Sequence, residues 1–118
     1  MKYLFILNDP PYGTERSYNG LRLANQLVKQ KDSNNEVYVF LIGDAVTCAK
    51  SGQSVPQGFY HLESFLKMLV RRKSQIGICG TCIDARGITD NELIEGTHRS
   101  TMDELAQWTD WADKVMIF

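Results

Sequence analysis

Gln75-Ile76-Gly77-Ile78-Cys79-Gly80-Thr81-Cys82-Ile83-Asp84-Ala85-Arg86-Gly87 decides the fold. Its first five residues have a strand's composition, apolar with little polar alternation, as expected of a strand covered on both faces. The Cys-Gly-Thr-Cys run that follows leads into a helical turn through Ile83-Asp84-Ala85-Arg86. Gly80 suits a tight turn, and Gly87 suits the left-handed end of that helical turn. A strand followed by a turn and then a helical turn is one step of an α/β chain.

Working outward, three further segments read as strands: Lys2–Leu7, Glu36–Ile42 and Lys114–Phe118. Helical patterns lie between them. In Ser17–Lys31, Leu21, Ala24, Leu27 and Val28 recur at helical spacing. In His61–Arg72, Leu62, Phe65, Leu66 and Leu69 form a stripe, with Arg71-Arg72-Lys73 at the end where the helix dipole favours cations. A third helix is expected from Ser100-Thr101, carrying Met102, Leu105, Ala106 and Trp108, with Glu104 as capping-box partner to Thr101. Strands alternating with helices of this length imply right-handed βαβ crossovers and a mostly parallel sheet. Asp44–Tyr60 reads as a short helix running into a loop around Val55-Pro56-Gln57-Gly58. Ile88–Arg99 is open between loop, short helix and an extra strand.

The 118 residues and 43% hydrophobic content suit one domain, over residues 1–118, with a real core. A formal charge of −1 gives no basic surface for neutralising phosphates, so nucleic acid is not an expected partner. No apolar stretch approaches the roughly 20 residues needed to span a bilayer. The run Tyr3–Leu7 is too short for a signal-peptide core, and Asn8-Asp9-Pro10-Pro11 ends it without a cleavage pattern. Cys48, Cys79 and Cys82 are an odd and sparse set, which argues against a disulfide scaffold and for reduced thiols in a cytoplasm.

In parallel α/β sheets, ligands gather beyond the carboxyl ends of the strands. Asn8–Glu15, Gly43–Cys48 and Cys79–Gly87 all fall there. The last carries most weight, because a thiol beside a helix N-terminus and a cation is more readily ionised, and Arg86 is the nearby cation. The competing reading makes Cys79 and Cys82 two small buried hydrophobes. Zinc would need two more ligands than one CxxC supplies, and only a convergence of Cys48, His61 or His98 could provide them. His61 and His98 read as surface or capping residues, and Cys48 as core. Tyr12-Gly13-Thr14-Glu15 could meet an anion or simply connect two elements. Without GxGxxG or Walker A, no nucleotide cofactor is expected, and none of any other kind. Trp108 and Trp111 fit core or subunit packing as well as ligand stacking.

Taken with Gly43-Asp44-Ala45-Val46 after the second strand, and Met102-Asp103-Glu104-Leu105-Ala106-Gln107-Trp108 before Ala112-Asp113-Lys114-Val115, the run Cys79–Ile88 resembles the DsrE/DsrF-like family, particularly its YchN-like branch. The resemblance covers the whole chain in order. It implies an α/β/α sandwich of three layers, a largely parallel sheet of five strands, and assembly into trimers or hexamers. The family's best understood members are sulfur-relay proteins, which hold sulfur as a cysteine persulfide and pass it on. Their acceptor cysteine ends the third strand shortly before an Arg-Gly pair, a register that Cys79 matches ahead of Arg86-Gly87. Cys82 matches the second cysteine of the YchN-like branch.

The leading expectation is therefore a sulfurtransferase-like persulfide carrier. Cys79 is the acceptor, Cys82 a resolving thiol or alternative acceptor, and Gly80, Thr81, Arg86 and Gly87 shape or stabilise the anion. Its partners would be sulfur donor and acceptor proteins or small sulfur species. A thioredoxin-like dithiol enzyme is the second reading, although no proline follows Pro56 to pack against the CxxC. A third is a small oligomeric module that binds a ligand or senses redox state.

Overall fold

The computed structural model describes residues 1–118. Five strands form one sheet: β1 (Lys2–Leu7), β2 (Glu36–Leu41), β3 (Gln75–Cys79), β4 (His98–Ser100) and β5 (Lys114–Ile117). Their order is β4-β3-β2-β1-β5 and every pairing is parallel. Helices α1 (Arg16–Lys29), α2 (Leu62–Arg71), α3 (Gly80–Ala85) and α4 (Met102–Trp111) supply the crossovers, with a 3-10 helix over Gly43–Ala49 after β2 and a 3-10 turn over Asp90–Glu92.

The register assigns the faces. Leu7 on β1 pairs with Leu41 on β2, and Leu7 meets α1 so closely that a Cβ on Gly20 would lie 2.7 Å from its Cδ2. Helices α1 and α2 pack together on that side. The alternate positions, Tyr38 and Phe40 on β2 and Gly77 on β3, face α4, where Trp108 lies edge-on to Phe40 at 6.2 Å and Trp111 stacks on Tyr38 at 3.9 Å. Gly77 is required by this contact. A Cβ there would meet the Trp108 ring at 3.0 Å and Ser100 at 3.1 Å. The core is one cluster of 23 buried residues, in which Leu4, Phe5, Leu7, Val39, Phe40, Leu41, Ile76 and Ile78 are wholly enclosed. Strands sheathed on both faces explain the continuous apolar runs of β1, β2 and β3.

The structure adds four particulars to the sequence reading, and the last of them corrects it. The extra strand within Ile88–Arg99 exists as β4, three residues long and held by Gly77↔His98, Ile78↔Arg99 and Cys79↔Ser100 pairing. The last strand is an edge, with Val115 40% and Ile117 69% exposed. On α4 only Trp108 is buried, and Met102 is 61% exposed. Thr101 does cap α4 by accepting the Glu104 N–H. The Glu104 carboxylate, however, turns away to accept from Ser100 Oγ at 2.6 Å and to pair with His98. There the carboxylate has two side-chain partners, where the capping box would offer it one backbone N–H.

Candidate functional site

Cys79 closes β3 and is the N-cap of α3, which begins at the next residue. The chain enters the helix with no loop between, so both cysteines lie on the first turn at the carboxyl edge of the sheet. Gly87, at φ 65°, lies just beyond α3. Gly80 has a different reason from the tight turn expected of it. The Arg99 side chain lies across α3 here, and a Cβ on Gly80 would meet its Nε at 2.9 Å and its Cζ at 3.1 Å.

The three thiols are unlike one another. Cys48 is fully enclosed, with its Sγ 3.6 Å from the Asp9 carbonyl, and burial pushes its pKa up to about 12. Such a thiol stays protonated and inert. Cys79 is also burdened by burial, which alone would raise it. Hydrogen bonds from the Cys82 thiol, the Thr81 hydroxyl at 3.4 Å, and the backbone N–H groups of Cys82 and Thr81 outweigh that burden and hold it below the ordinary thiol value. Cys82 is pushed up, by burial first and then by its hydrogen bond to Cys79 and the charge that Cys79 carries. The Gly43 N–H, 3.3 Å from its sulfur, and Arg86 pull it partly back. Donors converging on an anion are what makes a thiolate populated at neutral pH.

Cys79 opens onto a pocket of about 250 Å³ lined by Gly80, Thr81, Arg99, Ser100, Thr101 and Met102. Arg86, the cation expected beside the nucleophile, is engaged elsewhere. Its Nε and Nη2 reach Asp44 Oδ1 at 3.0 and 2.6 Å, and its Nη1 donates to the Cys82 carbonyl at 3.1 Å. It ties α3 to the 3-10 helix and bears on Cys82. Arg99 is the guanidinium at the Cys79 pocket, pinned by Asp84 and Asp90. Sequence reasoning passed over Arg99 because it lies in a stretch with no periodic signal. Its place follows only from the register of β4 beside β3.

The other candidates do not join this site. No three His, Cys, Asp or Glu side chains are grouped so as to hold a metal ion. His98 pairs with Glu104, while His61 bonds Ser64 and the Gln53 carbonyl. The Tyr12–Glu15 loop is knit by its own side chains: Thr14 donates to the Asp9 carboxylate and Tyr12 to Gln53. No helix is long and apolar enough to cross a membrane.

A parallel five-stranded sheet with a Cys-Gly-Thr-Cys turn at the end of its third strand defines a class, and the family comparison places the chain within it. The chain belongs to the DsrE/DsrF-like family, whose model matches residues 1–118. It is 41% identical over 117 residues to the YchN protein of Escherichia coli K12, covering 99% of this chain and 98% of that one. The crystal structure of that protein superposes with a TM-score of 0.93, covering 100% of this chain and 99% of its own. An uncharacterized protein of Methanopyrus kandleri is 34% identical over 113 residues, covering 96% of this chain and 90% of that protein. A protein of unknown function from Methanobacterium thermoautotrophicum shares the fold, with a TM-score of 0.72 at 12% identity and coverage of 98% and 97%.

Proposed function

We propose that this chain is a persulfide carrier in which Cys79 accepts sulfane sulfur. The observation that carries the reading is the contrast among the thiols: Cys79 alone is held below the ordinary value, and it opens onto a pocket. The Cys79 thiolate attacks the outer sulfur of a donor persulfide, R–S–SH. The Cys79–S bond to that sulfur forms, the donor's S–S bond breaks, and R–S⁻ leaves to take up a proton. Transfer onward repeats the exchange with an acceptor thiolate, and no net redox change occurs. Thr81 and the first-turn N–H groups of α3 stabilise the sulfur anion in both states, Gly80 leaves room for Arg99, and Arg86 with Gly87 holds the shape of the turn. Membership of the DsrE/DsrF-like family supports the same reading.

The hydrogen bond between Cys82 and Cys79 supports a branch of this chemistry. Cys82 as thiolate can attack the inner sulfur of Cys79–S–SH, forming a Cys79–Cys82 disulfide and releasing HS⁻. The disulfide would need an external dithiol to return the pair to its reduced state. We further propose a cytoplasmic protein that works as a trimer or hexamer; the exposed apolar edge at Val115 and Ile117 supports self-association.

Reduced protein incubated with inorganic polysulfide, followed by non-reducing peptide mass spectrometry, tests the proposal. Added sulfur on the Cys79 peptide, removed by dithiothreitol and lost in Cys79→Ser, is the expected result. Loading that survives Cys79→Ser and disappears in Cys82→Ser makes Cys82 the acceptor instead. A Cys79–Cys82 disulfide with no added sulfur at any time point moves the function to dithiol exchange.

A further inference from the structure

A second reactive arrangement lies away from the cysteines. His61 immediately precedes α2, and Ser64 sits on the first turn of that helix. The His61 Nε2 is 2.8 Å from the Gln53 carbonyl oxygen, which can only accept, so Nε2 carries the proton. The neutral ring therefore presents Nδ1 as an acceptor, and Ser64 Oγ lies 2.6 Å from it, donating. The His61 side chain makes no capping bond to the α2 backbone, so helix capping does not account for its orientation. A hydroxyl donating to an imidazole whose far nitrogen is fixed by an acceptor is the arrangement that activates serine.

The surroundings complete it. Glu63, almost wholly buried, places Oε1 4.0 Å from His61 Nε2 and pairs Oε2 with Lys67 at 3.0 Å. Its Oε1 accepts from the Gly52 and Gln53 N–H groups at 3.0 and 2.8 Å, which fixes the strand of loop that carries the orienting carbonyl. Ser64 and His61 both line a pocket of about 430 Å³ whose other walls include Tyr18, Phe59, Tyr60 and Phe65. That volume lies within the roughly 300–1,000 Å³ typical of small-ligand sites. Tyr60 stacks on Tyr18 at 4.2 Å and on Tyr12 at 5.9 Å, and Phe59, 65% exposed, gives the pocket its open apolar surface.

We propose that Ser64 and His61 form a nucleophile–base pair that hydrolyses carboxylic esters bearing an apolar group. Ser64 Oγ attacks the ester carbonyl while its proton passes to His61 Nδ1. Collapse breaks the C–O bond to the alcohol, which leaves with the proton from His61, and the acyl group stays on Ser64. Water then attacks the acyl carbonyl, giving its proton to His61, and His61 returns it to Ser64 as the acid is released. No oxidant or cofactor enters, and the reaction is independent of the sulfur chemistry proposed for Cys79.

The test uses the full chain with Cys79→Ser and Cys82→Ser, because thiols also accept acyl groups, alongside the unaltered chain. Each is given p-nitrophenyl acetate, and a fluorophosphonate probe is mapped by peptide mass. The expected result is catalytic turnover and phosphonylation at Ser64, with both reduced about 100-fold or more in Ser64→Ala and in His61→Gln, the usual scale of a lost nucleophile or general base. Circular dichroism and thermal melting identify any variant that has lost its fold. A folded Ser64→Ala chain that turns over as fast as its parent, or a probe that labels other residues and leaves Ser64 free, overturns the proposal.

Discussion

At the scale of single residues, the site is a contest between burial and hydrogen bonding. Cys48 and Cys79 are both buried, yet burial leaves one inert and the other depressed, because only Cys79 faces Thr81, Cys82 and the opening of α3. The sign for reactivity follows. A thiol with a lowered pKa keeps its thiolate as pH falls below the ordinary value, so Cys79 alkylation by iodoacetamide should stay fast at pH values where Cys82 and Cys48 have become slow. Thr81→Val removes one donor and should shift the Cys79 alkylation profile to higher pH, slowing the reaction at pH 7 by up to roughly tenfold, the effect of one pKa unit. Rates measured across pH by peptide mass spectrometry check both outcomes. Glu104 makes a different prediction. Burial works against its charge, but hydrogen bonds from Ser100 and His98 hold its pKa below the ordinary carboxylate value. A depressed carboxylate contributes stability that is present above the unfolded pKa and lost as pH falls through the folded one. Glu104→Gln should therefore be less stable than the parent in urea at pH 7, and the gap should close in acid.

Among the elements, the sheet was legible wherever apolar residues run without interruption. Lys2–Leu7, Glu36–Leu41 and Gln75–Cys79 are strands because their side chains are covered from both sides, and that coverage is written in composition. β4 carries no such mark. His98-Arg99-Ser100 is polar, and its extended form comes from pairing with β3 and from the Glu104 carboxylate that gathers His98 and Ser100. The cysteine turn could be read from its own residues, whereas Arg99 and the Ser64–His61 pair depend on register and on a loop, which local patterns do not encode. The contact between β3 and α4 gives a prediction at this scale. Gly77→Ala places a methyl group against Trp108 and Ser100, and should cost about 1–3 kcal/mol, the usual range for overpacking a core. The midpoint of urea unfolding measures it.

For the whole molecule, the asymmetry of the two sheet faces matters most. Two helices, α1 and α2, fill one side, and α4 covers only part of the other, leaving β5 as an exposed edge with Ile117 presented to solvent. Ile117→Lys should leave the fold intact, since the side chain is 69% exposed, and should shift an assembled species to monomer in analytical ultracentrifugation. An unchanged sedimentation coefficient would place the contact between copies on another surface.

Both tryptophans belong to α4, and both rest on the aromatic residues of β2, Trp111 on Tyr38 and Trp108 across Tyr38 and Phe40. Intrinsic fluorescence from this chain is therefore a local signal. It reports the docking of one layer and is blind to the helices on the opposite side, which far-ultraviolet dichroism sees. Matching melting curves from the two methods would mean that the layers come apart together. An earlier transition in fluorescence would identify the α4 layer, which carries Met102 at the mouth of the Cys79 pocket, as the part of the molecule that opens first.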